Sequence, residues 1–173
     1  LAADRRFTGS RPAGELYDGT DFPVTSWVAD DPAPVDVDEW ALCVDGLVGT
    51  PATVEYGTLA AAGDERTALL DCTSGWYTER RWRGVRLGSL LDSVGVADDA
   101  AWVVVRSVTG YRWSFPLAEA RGMLLATHVD GDPLSHGHGA PLRLVAPDRR
   151  GFQWVKWVVE VRVTRRRDAS QYL

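Results

Sequence analysis

The chain has 173 residues, 45% apolar and 25% charged, enough for one hydrophobic core and without the composition of a disordered tail. A net charge of -5 argues against a nucleic-acid partner, and two cysteines cannot build a disulfide framework. No run reaches the ~20 apolar residues of a membrane-spanning helix, and no secretory leader core is visible. The chain opens on Leu1 rather than Met, as expected of a processed protein or an excised domain.

Residues 1–34, rich in Gly, Pro, Asp and Thr, predict an extended arm over the surface, anchored at Phe22-Pro23-Val24 and Trp27. Residues 35–173 read as one domain. Trp40 to Gly46 alternates and then turns, so it predicts a strand, with Cys43 as a core residue inside it. Val54 to Ala62 predicts a short helix stopped by Gly63. Leu69 and Leu70 end a buried strand, and Leu87 to Val94 predicts a helix. Trp102 to Val105 is a buried strand, Tyr111 to Phe115 alternates, and Pro116 to Ala120 predicts a short helix. Leu124 to Val129 is a strand closed by the Asp130-Gly131 turn. Ser135 to Gly139 is a polar glycine-rich loop, and Arg143 to Pro147 and Trp157 to Thr164 are the last strands. Many short strands with few short helices give an α+β class.

The chemistry concentrates at Asp71-Cys72-Thr73-Ser74-Gly75-Trp76. A buried strand delivers Cys72 into a tight turn, where a thiolate can be held in fixed geometry as a metal ligand. Taken alone, Cys72 reads first as an ordinary buried cysteine or a partner for Cys43. His136 and His138 flank one glycine but lack further ligands at zinc spacing. The Arg80-Arg81-Arg83 cluster reads as a solvated face, with a substrate funnel as the sharper alternative.

Taken together, separated motifs from Trp40 to Val163 resemble the molybdopterin-binding domain of the sulfite oxidase superfamily. They are Trp40-x-Leu-x-Val-x-Gly-x-Val-x-x-Pro51, Cys72 with Trp76 and Trp82-Arg83-Gly84, His138-Gly139-Ala140-Pro141-Leu142-Arg143-Leu144, and Gly151-Phe152-Gln153-Trp154-Val155-Lys156-Trp157. Their spacing is most similar to the reductase branch, the bacterial periplasmic methionine-sulfoxide reductases. The resemblance implies mixed sheets around a barrel-like core. It also implies a molybdenum–molybdopterin cofactor with Cys72 as metal ligand and catalytic residue. Ser107, His138, Arg143, Trp154, Val155 and Lys156 would contact the pterin. The phosphate that ends this cofactor suits Arg143, whose guanidinium can grip it with two parallel hydrogen bonds.

The implied activity is oxygen-atom transfer on a small oxo substrate, with electrons from a membrane haem protein or a membrane domain of the same protein. The implied location is extracytoplasmic. Two departures bear on substrate. Sulfite oxidases place arginines shortly after the cysteine, whereas Tyr77, Thr78 and Glu79 precede Arg80 here. The reductases have a glutamate two residues past the cysteine, where this chain has Ser74, and they have an asparagine and a tyrosine that the arm near Phe22 lacks. Reduction of a neutral sulfoxide or N-oxide, resting on Trp76 or Tyr77, is therefore expected over oxidation of sulfite. The alternatives are a metal-free interaction domain of the same fold and a thiol-redox protein using Cys43 and Cys72.

Overall fold

The computed structural model describes residues 9–26 and 30–172, so the expected Trp27 anchor lies outside the described residues. In chain order the strands are β1 (Arg11–Pro12), β2 (Ala41–Gly46), β3 (Ala52–Glu55), β4 (Asp64–Asp71), β5 (Trp76–Arg86), β6 (Trp102–Ser107), β7 (Arg112–Pro116), β8 (Leu124–Val129), β9 (Asp132–Pro133), β10 (Arg143–Val145) and β11 (Val158–Thr164). The helices are α1 (Ala13–Leu16), α2 (Tyr56–Ala60), α3 (Leu87–Val94) and α4 (Leu117–Ala120).

The strands form two sheets. One has the order β3-β2-β11-β6-β7. The other runs β1-β5-β8-β10, with β4 on the far side of β5 and β9 beside β8. Among the described residues neither sheet closes into a barrel: each ends in edge strands, β3 and β7 in one and β4 and β10 in the other, so the barrel-like core expected is a pair of open mixed sheets. The α+β class with mixed sheets and short helices stands.

Apolar runs explain most elements. The Val103–Val105 run is buried because β6 is a central strand, flanked by β11 and β7. In α3, Leu87, Leu90, Leu91 and Val94 recur at helical spacing and are all buried, at about 1.5–3 kcal/mol for each large side chain. Gly95, at φ 70°, ends the helix in a backbone conformation that other residues adopt at a cost.

Three readings differ from expectation. Val54 and Glu55, expected to open a helix, end strand β3, whose pairing to β2 holds them extended, and α2 begins only at Tyr56. The long strand β5 escapes the sequence pattern because Arg80 occupies the inward face that it shares with the buried Trp76, Thr78, Trp82 and Gly84. Arg80 is accommodated there by ion pairs to Asp21 (2.5 Å) and Asp130 (3.0 Å) and by the Phe22 ring beneath its guanidinium (5.2 Å). Cys43 is exposed rather than in the core. Leu42 and Val44 take the buried face of β2, so the period of two turns Cys43 outward toward Asp45 (Sγ to Oδ2, 3.8 Å).

Candidate active site

The predicted cysteine turn is built by backbone bonds around one residue. Cys72 N–H donates to the Trp76 carbonyl (2.8 Å), and Gly75 N–H donates to the Cys72 carbonyl (3.1 Å). Gly75 sits at φ 89°, the left-handed region such a turn needs. The Cys72 sulfur accepts from the Ser74 amide at 3.5 Å. It is a free thiol, buried on the wall of a cavity of about 250 Å³.

Two basic residues, Arg143 and Lys156, line the same cavity. Arg143 opens β10 with only 3% of its surface exposed. Its guanidinium lies beside the paired rings of Trp82 (5.5 Å) and Trp154 (5.8 Å). One terminal nitrogen donates to the His138 carbonyl (3.0 Å), while the buried Nε makes no hydrogen bond. Burial pushes its pKa down to about 10, against the opposing influence of the Cys72 sulfur.

Lys156 Nζ donates to the Gly137 carbonyl (2.7 Å), the Thr25 carbonyl (2.8 Å) and Ser26 Oγ (3.1 Å). Burial, and then the charge of Arg143, bring its pKa down to about 7. His138 is pushed down to about 4 by burial and then Arg143, so its imidazole is neutral at pH 7. Its Nε2 lies 3.2 Å from the Phe22 carbonyl, which can only accept, so the proton is on Nε2 and Nδ1 accepts from Ser135 Oγ (3.0 Å). The ring stacks on Phe22 at 3.7 Å.

The glycine loop before Arg143 is compact. A short 3₁₀ turn, His136–His138, ends at Gly139 with φ 108°. A side chain at Gly139 would crowd Lys156, and one at Gly137 would collide with Val24. The loop is thus seated directly against both the lysine and the arm.

Cys72, His138, Arg143, Trp154, Val155 and Lys156 all line this one cavity. Ser107 is not among its lining residues. It is buried at the end of β6, where its hydroxyl accepts from the Thr109 amide (3.3 Å) and Thr109 Oγ1 (3.1 Å). Its amide donates to the Tyr111 carbonyl (2.7 Å), so it shapes the turn that presents Tyr111.

Tyr111 itself lines the cavity and escaped the sequence reasoning, as did Asp30, Thr25 and Ser26. Tyr77 does not line it; Tyr111 and Phe152 supply the aromatic wall beside Trp76. The Tyr111 hydroxyl donates to the Phe152 carbonyl (2.6 Å), and burial, with the Asp30 carboxylate, pushes its pKa up to about 12. A tyrosine after a Thr-Gly turn carries no local signal of this role.

The Arg80-Arg81-Arg83 cluster stays clear of the cavity lining. Arg80 is held by Asp21 and Asp130, Arg81 pairs with Glu65 (3.3 Å), and Arg83 donates to the carbonyls of Ala60 (3.1 Å) and Ala62 (3.3 Å).

The cavity fits an anionic cofactor. A buried guanidinium with an unused donor and a desolvated lysine favour a phosphate, which would return charge to both. Among the described residues, no group of three or more His, Cys, Asp or Glu could hold a metal ion. A metal at Cys72 would thus draw further ligands from the cofactor, and soft sulfur ligands match a thiolate.

In overall fold the chain is similar to the sulfane dehydrogenase SoxCD from Paracoccus pantotrophus. The TM-score is 0.75 at 24% identity, over 80% of this chain and 41% of that one. It is 31% identical over 150 residues to the uncharacterised oxidoreductase YuiH of Bacillus subtilis (strain 168), covering 84% of this chain and 75% of YuiH. It is 32% identical over 142 residues to the protein-methionine-sulfoxide reductase catalytic subunit MsrP of Xanthomonas axonopodis pv. citri (strain 306). That match covers 71% of this chain and 44% of MsrP. The mitochondrial sulfite oxidase of Macaca fascicularis is 32% identical over 143 residues, 71% of this chain and 26% of the oxidase. The model of the oxidoreductase molybdopterin-binding domain matches residues 29–172, and the chain belongs to that family.

Proposed function

We propose that this chain is a molybdenum–molybdopterin oxidoreductase that removes an oxygen atom from a neutral sulfoxide or N-oxide. The observation that carries the cofactor reading is the buried Arg143, with its unused Nε donor, on the same cavity as the Cys72 thiol. Arg143 and Lys156 would hold the phosphate, and the neutral His138 imidazole, with Trp154 and Val155, would bound the pterin. Cys72 would supply one soft ligand to the metal, as the catalytic cysteine. Ser107 would act from behind, through the turn that carries Tyr111. When bound, the cofactor supplies a centre able to exchange one oxygen atom and two electrons with a substrate.

The chain's own residues support a neutral substrate. The cavity's cations are Arg143 and Lys156, which this reading assigns to the phosphate, and the arginines after Cys72 are bonded elsewhere. Trp76, Tyr111 and Phe152 offer an aromatic wall for the apolar part of a small molecule. Two electrons and two protons would leave the reduced substrate and water, so an electron-transfer partner is required. We take that partner to be a membrane haem protein or a membrane domain, and the location to be extracytoplasmic. Both follow from resemblance to the reductase branch.

The test uses protein made in a host competent for molybdopterin synthesis. Molybdenum and released pterin are measured first, and a chain without either would instead be the metal-free interaction domain. Arg143→Ala should lose about 2–5 kcal/mol of cofactor binding, read as loss of retained molybdenum. Steady-state rates with dye donors or acceptors then compare sulfoxides and N-oxides with sulfite. A higher kcat/KM for sulfite oxidation overturns the substrate assignment.

A further inference from the structure

Arg150 has no part in the chemistry above, yet it stands against the cysteine. It and Asp71, the last residue of β4, form an isolated parallel β-bridge. One Arg150 terminal nitrogen donates to the Cys72 carbonyl at 3.2 Å and lies 3.8 Å from Asp71 Oδ1. The Asp71 carboxylate is 2% exposed and also accepts from Ser10 Oγ at 2.6 Å. The next residue, Gly151, packs so closely that an added Cβ would lie 3.1 Å from Cys72 Cα and 3.2 Å from the Asp71 carbonyl. A buried carboxylate is costly to keep unless paired, and this one immediately precedes the cysteine.

The sulfur itself is lightly held. It accepts the Ser74 amide at a long 3.5 Å, so its direction depends on how firmly the Cys72 peptide is fixed. The amide side is fixed by Trp76. The carbonyl side is held by the Gly75 turn bond and Arg150.

We propose that Arg150, with Asp71 as its buried counter-charge, is a positioning residue that locks the Cys72 peptide and so aims the sulfur into the cavity. The proposal rests on the reading of Cys72 as the metal ligand. One Arg150 terminal nitrogen serves both the carbonyl and the carboxylate, and the planar, pre-organised guanidinium holds it there with less lost freedom than a flexible lysine ammonium. Small displacements of a reacting group are expensive: a misplacement of about 1 Å can cost roughly 10²-fold in rate.

The test compares Arg150→Gln and Arg150→Lys in a Cys43→Ala background, so that Cys72 is the one thiol. Iodoacetamide alkylation of the cofactor-free chain at fixed pH reports how firmly the turn is held, and thermal melting reports folding. Arg150→Gln should alkylate about 5-fold faster, and the loaded variant should lose about 10-fold in kcat with KM little changed. Arg150→Lys should recover part of both effects. Ser10→Ala, which loosens Asp71 from the other side, should raise alkylation in the same direction and keeps the test open if Arg150→Gln does not fold. Alkylation unchanged from the parent in a folded Arg150→Gln chain, or in Ser10→Ala where the former does not fold, overturns the proposal. Absence of molybdenum from the parent would overturn the oxidoreductase reading instead, and the alkylation rates would still decide whether Arg150 locks the turn.

Discussion

In the five-stranded sheet, charged residues face outward and pair along the ladder: Arg106 Nε with Glu160 (2.5 Å) and Arg162 Nε with Asp45 (3.6 Å). In the six-stranded sheet some turn inward, Arg80 in the middle of β5, Asp71 closing β4 and Arg143 opening β10. Both sheets bury similar aliphatic side chains, so apolar packing alone does not separate scaffold from site. The difference is polar burial. An inward charge is costly unless it is paired or awaits a ligand, and at the cavity that cost falls on Arg143 of the six-stranded sheet.

Substitution at the two ends of this contrast should give very different responses. The largest is at the cysteine. Cys72→Ser should lower kcat by roughly 10³-fold or more while leaving the melting temperature nearly unchanged, because a hard oxygen replaces a soft sulfur ligand. Equal turnover in variant and parent would rule out thiolate ligation.

Next is Gly84, at the register shift between β5 and β8. An added Cβ there would meet the Leu125 carbonyl oxygen at 1.9 Å and Ala126 Cα at 2.8 Å, both backbone atoms unable to yield. Gly84→Ala should destabilise by about 3 kcal/mol or more in urea unfolding. A loss below about 1 kcal/mol would show that the two strands can part without cost.

A smaller effect should appear with pH in the cofactor-free chain. Lys156 has a folded-state pKa of about 7 against an ordinary 10.5. Between these values the unfolded chain holds a proton that the folded chain lacks, so stability rises with pH across the window. The penalty for burying the charge is fully present below pH 7. His138, brought from 6.5 to about 4, acts in the same sense between those two values. Urea midpoints from pH 6 to pH 9 should therefore climb in the parent and climb less in Lys156→Met. Parallel curves would contradict the desolvated lysine.

The smallest response belongs to the scaffold sheet. Arg106→Ala breaks a partly exposed pair on its outer face and should cost about 0–1 kcal/mol, with retained molybdenum unaffected. A comparable loss at Arg106 and Arg143 in cofactor retention would erase the distinction between the sheets.

What the sequence determined by itself was local. Runs such as Val103–Val105, the helical spacing of Leu87, Leu90, Leu91 and Val94, and the turn after Cys72 are each written within a dozen residues. Short-range sterics and period suffice to read them. The segments that carry His138, Arg143 and Lys156 to the cavity were legible for the same reason, since each is compact.

The tertiary structure decided what depends on partners far along the chain. Whether the inward Arg80 serves the cavity was settled by Asp21 and Asp130, which the folded arm and the β8–β9 turn bring to it. Arg150 reaches the Cys72 carbonyl across 78 residues, and Tyr111 meets Phe152 across 41. The same holds for the openness of the sheets. Such pairings are fixed by strand register and sheet order, which assign each side chain its neighbours only after the chain has folded.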